Sequence, residues 1–554
     1  MRGGLRTRAE YSARLFEFGL IVVLALLPFF WRLLADAGDL PAGDAWAYER
    51  IFDTYHATGH LRLVGWNDIT LVGVIPVTSL WVAIVGYGHH QLHLLGSVMC
   101  ACALLGFRSL LITFGVARRI PALLLFAGFS GFVGIAGTYL SDSFAIAGAV
   151  WAVALACRVT HPRDREWPRW ANVAAVIGAA LAASFGFLVR QQMAVAALAA
   201  AWLLLGRRPF ARDRVVRAAL FAATFAAVSV PVYLWRSGLE HGGKIEFDLH
   251  MRGMAAGAEA MFVAQGLLLF ATLLWVHGLH PVTKRGAAIV GCIALAEFAA
   301  MAGGWSQVVP AHPLVSGIQE QYGLDGGAVA LIAILAAATT GWVWTARACV
   351  EWRDRGVHLS AESPLRHPLA AVALLAIAVE ATVVVATGAY WTRYSLFMAV
   401  ATIVVLLARP LQRSAAALAI TIAVLLASYW ELDHSLTPTE AIKEAAAITS
   451  CLGIAPEHLD ATFSWDGKYY TGIASVYRGD LVNDGLPITH DWSTFPAMQR
   501  DAVLTRANPG NNDAWLVIGP ISSSALIPTT QQDWWLTVRR SAITTADQAS
   551  CLDR

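Results

Sequence analysis

DAGDLPAGDAWAYERIFDTYHATGHLRLVGWNDITLVGVIPVTSLW, residues 36–81, is the stretch from which the rest of the chain is read. It follows at once on the apolar run LFEFGLIVVLALLPFFWRLL, residues 15–34, and sets Asp36, Asp39, Asp44, Glu49, Asp53 and Asp68 beside Arg50, Arg62, His56 and His60. The whole chain is 57% hydrophobic and 14% charged, so this density of ionisable groups at a membrane edge marks a working loop.

Outward from that loop, apolar segments repeat along most of the 554 residues, and the mean hydropathy is +0.56. A soluble globular domain would leave that much apolar surface without a core, so the pattern is that of a polytopic α-helical membrane protein. The segments read as spans are 15–34, 92–116, 121–140, 143–158, 171–189, 193–206, 215–235, 257–279, 286–304, 326–347, 368–389, 395–409 and 414–430, about thirteen in all. The net charge of +2 gives no sign of a nucleic-acid partner; in such a chain the placement of basic residues matters more than their sum.

That placement fixes the expected topology. If 69–87 lies in the outer interface instead of spanning, one side collects the N-terminal Arg2, Arg6, Arg8 and Arg14, then Arg118 and Arg119, Arg158 to Arg169, Arg207 to Arg217, Lys284 and Arg285, Arg347 to Arg366, and Arg409 and Arg413. The other side holds far fewer: Arg32, Arg50, Arg62, Arg190, Arg236, Lys244, Arg252 and Arg393. The positive-inside rule then puts the amino terminus in the cytoplasm and the carboxyl terminus outside, in a multi-pass protein of the plasma or inner membrane. A cleavable signal peptide ending near Ala35-Asp36-Ala37 is the competing reading of the first segment; its length, Glu17 and the many later spans favour an uncleaved helix.

From residue 431 the long apolar runs stop, and residues 431–554 read as a small extracytoplasmic α/β domain after a membrane domain of residues 1–430, whose first outer loop is 36–91. Thr437-Pro438-Thr439-Glu440 is a capping-box pattern that predicts a helix from Pro438 to about Ser450. Trp515 to Ile518 and Ile473 to Tyr477 predict strands. Cys451 and Cys551 are the two cysteines of this region, and an oxidising compartment predicts a disulfide between them.

The remaining informative ionisable groups lie at span ends on the outer side: Asp142 in Ser141-Asp142-Ser143, Arg190-Gln191-Gln192, the segment Glu240 to Arg252, the loop Trp305 to Tyr322, and Trp391 to Tyr394. An active site there has no nucleotide sugar to draw on, so an activated substrate must arrive on a lipid. A polyprenyl phosphate sugar meets that need. Its phosphate leaves with cations to stabilise it, and its acceptor hydroxyl needs a carboxylate to take the proton.

These residues resemble the GT-C glycosyltransferases, most closely the family 39-like group of lipid A aminoarabinose transferases, rhizobial lipopolysaccharide sugar transferases and protein O-mannosyltransferases. That group opens its first outer loop with Asp-Glu-x-x-Tyr and continues with a proline-aromatic segment. Asp44-Ala45-Trp46-Ala47-Tyr48 matches at the Asp and the Tyr, and Pro76 to Trp81 matches the later segment. Ala45 replaces the usual Glu, and the basic residue before the proline is absent. Arg118-Arg119, Ser141-Asp142-Ser143, Arg190-Gln191-Gln192 and Arg393-Tyr394 match further positions in the same order.

The resemblance implies a hexosyl- or pentosyltransferase that inverts at the sugar, taking a polyprenyl phosphate donor and a lipid, glycan or protein acceptor. It makes Asp44 the base and Asp142 the second catalytic acid, Arg393, Arg190 and Arg62 the phosphate ligands, and Tyr48, Tyr394 and Gln191 substrate contacts. No cofactor is fixed, and room is left for a divalent cation beside Asp142.

Each assignment has a plainer counterpart. Asp44 and Asp142 could cap the helices they precede, and Arg190 and Arg393 could snorkel to outer headgroups. His89, His90 and His93 read as solvated interfacial histidines instead of metal ligands. A transporter or lipid flippase is the rival of another class, set back by the near absence of acids within spans, apart from Glu17, Glu297 and Glu380, and of any repeat. A membrane O-acyltransferase is a third, without a well-placed histidine within a span.

Overall fold

The computed structural model describes residues 2–63, 70–116, 119–161, 168–206, 211–239, 396–407, 437–461, 463–469, 500–505, 514–523 and 532–543, with single residues from 368 to 379, from 421 to 436, and at 526 and 551. Its helices are α1 (Arg2–Leu34), α2 (Ala45–Thr58), α3 (Val74–Val85), α4 (His89–Thr113), α5 (Arg119–Ala127), α6 (Ser130–Ile135), α7 (Ser141–Thr160), α8 (Arg169–Val189), α9 (Ala194–Leu205) and α10 (Arg212–Ser237), then α11 (Leu396–Leu407), α12 (Pro438–Cys451) and α13 (Phe463–Tyr469). Among the described residues five helices are long and apolar enough to cross a membrane: Tyr11–Leu34 within α1, and α4, α7, α8 and α10.

The expected spans 257–279, 286–304 and 326–347 lie outside the described residues, and 368–389 and 414–430 are described only at scattered positions. Two expectations are refined by what is seen. Residues 69–87 give α3, whose 12 residues extend about 18 Å, too short to cross a bilayer. Residues 121–140, expected as one span, form α5 and α6, which are separate short helices with Gly128 and Phe129 between them. Phe129 is extended at φ −67°, ψ 130°, so the helical hydrogen-bond ladder stops there.

Helix α7 is the hub, packed against α4, α8 and α9 and buried along most of its length. Small residues make this possible. A Cβ on Gly148 would stand 2.7 Å from the Ala182 carbonyl and 2.8 Å from the Gly186 nitrogen, so α7 and α8 approach backbone to backbone. Helix α1 crosses α4 and α5 and is fastened by one acid: Glu17, 5% exposed, accepts from Arg108 Nε and Arg119 Nε, each at 2.7 Å. The first apolar segment is thus one continuous helix bound to the bundle by charge as well as by packing.

Among the described residues the carboxyl-terminal part holds a four-stranded sheet, order β1-β2-β4-β3, of β1 (Leu459–Asp460), β2 (Ala502–Thr505), β3 (Trp515–Ser523) and β4 (Gln532–Arg539). β1 runs parallel to β2, and the other two pairings are antiparallel. β3 is the strand expected at Trp515 to Ile518, extended past a bulge at Gly519 that accommodates Pro520 on an edge. Helix α12 starts at Pro438 as expected, but Thr437 is itself helical at φ −55° and makes no side-chain cap. The expected strand Ile473 to Tyr477 lies outside the described residues.

Cys451 and Cys551 are disulfide-bonded, with Cα atoms 6.0 Å apart. This region is seated on the loop of residues 36–40. Leu40 enters its apolar core beside Ala441, Ile442 and Trp465. Lys443 pairs with Asp36 at 2.5 Å, Lys468 donates to the Asp39 carbonyl at 2.6 Å, and Trp31 Nε1 donates to Asp433 at 2.8 Å.

Candidate active site

The polar residues at the starts of α2 and α7 and at the end of α8 meet. Helix α2 brings Asp44 and Tyr48 there, four residues apart and so on one helical face. Asp44 occupies the N-cap position with φ −72°, ψ −1°, and makes no side-chain cap. The capping reading therefore fails for the half-buried carboxylate.

Asp142 lies in the first turn of α7, one residue past the start, and Leu140 is the cap position. Its Oδ2 accepts from Arg190 Nη2 at 2.8 Å. Arg190, at the C-cap of α8, does not snorkel: it is 3% exposed and turned inward, with Nε donating to Ser141 Oγ at 2.9 Å and Nη2 reaching Tyr48 Oη at 3.4 Å. Tyr48, 3% exposed, has its hydroxyl pushed above the ordinary phenol range by burial; Arg190 opposes that push, and Asp44 and Asp142 add to it. Two acids and one guanidinium thus converge on one neutral phenol.

Gln191 sits just beyond. Its Oε1 accepts from both the Thr70 N–H and the Thr70 hydroxyl, each at 3.1 Å. The backbone beside it is stitched to the end of α8 by Leu71 N–H to Val189 O and Gly73 N–H to Leu188 O, both 2.9 Å. Gly73 permits that approach, since a Cβ there would stand 2.9 Å from Val189 Cγ2 and 3.1 Å from the Phe185 carbonyl. Leu71 is held at φ +58°, a left-handed conformation that costs a leucine energy and is tolerated where surrounding contacts fix the backbone.

Of the other expected site residues, Arg62 is exposed on the segment after α2, and Arg393 and Tyr394 lie outside the described residues. Ser141 was part of a quoted motif without a role of its own; it holds Arg190 in place.

A second constellation departs from the solvated reading at His93. His93 is 3% exposed and so is not a solvated interfacial histidine, while the His89 side chain is 21% exposed. Both close on Glu49: His89 Nδ1 is 2.7 Å from Oε2 and His93 Nε2 is 2.8 Å from Oε1. Burial pushes the Glu49 carboxyl up, but hydrogen bonds from His89 and His93 and their charge outweigh it and take it down to about 2. His90 fits the solvated reading better, half exposed and 3.4 Å from Asp39. The signal that could have found the pair is the four-residue spacing of His89 and His93; their partner, 40 residues earlier, has no local signature.

No protein-family model matches the chain, and no curated protein matches it. Among solved structures it is similar to ArnT from Cupriavidus metallidurans bound to undecaprenyl phosphate, at 14% identity and a TM-score of 0.42, with 95% of this chain and 98% of that chain covered. It is also similar to the archaeal oligosaccharyltransferase AglB from Archaeoglobus fulgidus in complex with an inhibitory peptide and a dolichol-phosphate, at 14% identity and a TM-score of 0.40, covering 87% of this chain and 63% of that one. At identities and TM-scores this low, the chemistry of the present chain is read from its own residues.

Proposed function

We propose that this chain is an inverting membrane glycosyltransferase that moves a sugar from a polyprenyl phosphate donor to a hydroxyl on a lipid, cell-envelope glycan or protein acceptor at the outer face of the membrane. The observation that carries the reading is the convergence of Asp44, Tyr48, Asp142 and Arg190 at the ends of three helices.

In this reading the acceptor oxygen attacks the anomeric carbon as Asp44 takes its proton, and the bond to the phosphate oxygen breaks on the opposite face. The leaving lipid phosphate is stabilised by Arg393 and Arg62, with the Arg190 charge behind them. Arg190 spends Nε and Nη2 on Ser141, Asp142 and Tyr48, so its first task is to hold those groups in place. Asp142 orients the acceptor. Thr70 and Gln191 are held to each other beside Arg190.

The test is incubation of the detergent-purified chain with radiolabelled polyprenyl phosphate sugars and a hydroxyl acceptor. Release of free lipid phosphate with transfer of the label supports the reading. Movement of intact lipid across a vesicle membrane without bond cleavage would replace it with a flippase.

A further inference from the structure

We propose that Glu49, His89 and His93 form a binding site for one divalent cation of the zinc class. The three side chains each offer one ligand atom, and these atoms lie within 4.8 Å of one another. His89 and His93 are i and i+4 on the first turns of α4, with ring centroids 4.2 Å apart, and Glu49 reaches them from α2. Two histidines at that spacing with a carboxylate opposite is a geometry that suits Zn²⁺.

The hydrogen-bond pattern points to a cation more directly. His93 Nε2 faces Glu49 Oε1 at 2.8 Å, and Nδ1 faces the Gly137 carbonyl at 3.2 Å, so both ring nitrogens meet acceptors. A neutral imidazole has one N–H and can satisfy one of them; satisfying both needs an imidazolium at a position 3% exposed. A cation between Nε2 and the carboxylate removes the conflict. Neutral His93 then donates from Nδ1 to Gly137 and presents the Nε2 lone pair to the metal, as ligating histidines commonly do.

The carbonyl that receives Nδ1–H is itself fixed. Gly137 has φ +76°, and a Cβ there would lie 2.5 Å from the Phe29 nitrogen and 3.0 Å from the Pro28 carbonyl carbon, so this position admits only glycine against α1. Two imidazoles and one carboxylate suit zinc and its first-row neighbours, whereas Mg²⁺ and Ca²⁺ take oxygen ligands. Three protein ligands leave a tetrahedral position open to water or a substrate oxygen. The cation would join α2 to α4, and α2 carries Asp44 and Tyr48. The site itself does not depend on the chain being a glycosyltransferase.

The full chain, purified in detergent with any histidine tag removed, is stripped with a chelator, dialysed against micromolar Zn²⁺ and assayed for bound metal; Co²⁺ replaces zinc for absorption spectroscopy. One equivalent per chain is expected in the wild type and in His90→Ala, with a Co²⁺ ligand-field band, and loss of both in Glu49→Gln, His89→Ala and His93→Ala. Should His93→Ala fail to fold, His89→Ala, at a partly exposed position, together with a zinc-dependent rise in the wild-type melting temperature, decides the matter. No retained metal in the wild type, or unchanged stoichiometry in Glu49→Gln and His89→Ala, overturns the proposal.

Discussion

Arg190 Nη2 lies 2.8 Å from Asp142 Oδ2, with each side chain 3% exposed, so the end of α8 and the start of α7 are joined by an ion pair closed off from water. Removing either partner breaks that ion pair inside the protein. Arg190→Ala and Asp142→Ala are each expected to cost about 3–5 kcal/mol. The double variant should cost less than the sum of the two, measured by thermal unfolding in detergent. Additive losses would mean that the pair contributes no coupling.

Asp44→Asn should leave helix α2 and protein yield intact, because the carboxylate makes no cap. The same change should lower sugar transfer about 10²–10⁴-fold if Asp44 is the base. Transfer at close to the wild-type rate, measured on purified protein, removes that assignment.

Glu17 is shared by Arg108 and Arg119, so one neutralising change affects three helices. Glu17→Gln is expected to lower the unfolding free energy by about 1.5–3 kcal/mol, the range for hydrogen bonds to charged groups, while leaving the transfer rate of the folded fraction unchanged. A variant with normal stability would show that the arginines find other partners without cost.

The disulfide closes a long loop, 100 residues in sequence separation, for which chain entropy gives about 4.7 kcal/mol. Cys451→Ser with Cys551→Ser should make the carboxyl-terminal region sensitive to limited proteolysis at a temperature where the oxidised protein resists. Equal resistance would assign that region's stability to its apolar core alone.

Asp466 is raised well above the ordinary carboxylate range, first by burial and then by the charge of Asp460; the Ala461 N–H and Arg500 oppose the shift. The fold therefore favours its protonated form, whose stabilising contribution is complete below the unfolded-state value and is lost as pH rises through the folded one. Asp466→Asn keeps the oxygen that accepts from Ala461 and cannot ionise. It should raise the melting temperature more at pH 8 than at pH 5. A pH-independent difference would mean that Asp466 does not titrate across that interval.

What the sequence determined by itself is local. Hydropathy marks α1, α4, α7, α8 and α10 because a span is a property of consecutive residues, and Pro438 and the run from Trp515 mark a helix and a strand for the same reason. Asp44, Asp142 and Arg190 stood out as polar groups at span ends. Tertiary structure decided what they meet. Whether Arg190 turns to headgroups or to Asp142 depends on the rotation of α8 against α7, which is set by glycine contacts such as Gly148 on Gly186. The meeting of Glu49 with His89 and His93 depends on how α2 lies across the start of α4. Such rotations are energies summed over whole interfaces, so no window of sequence contains them.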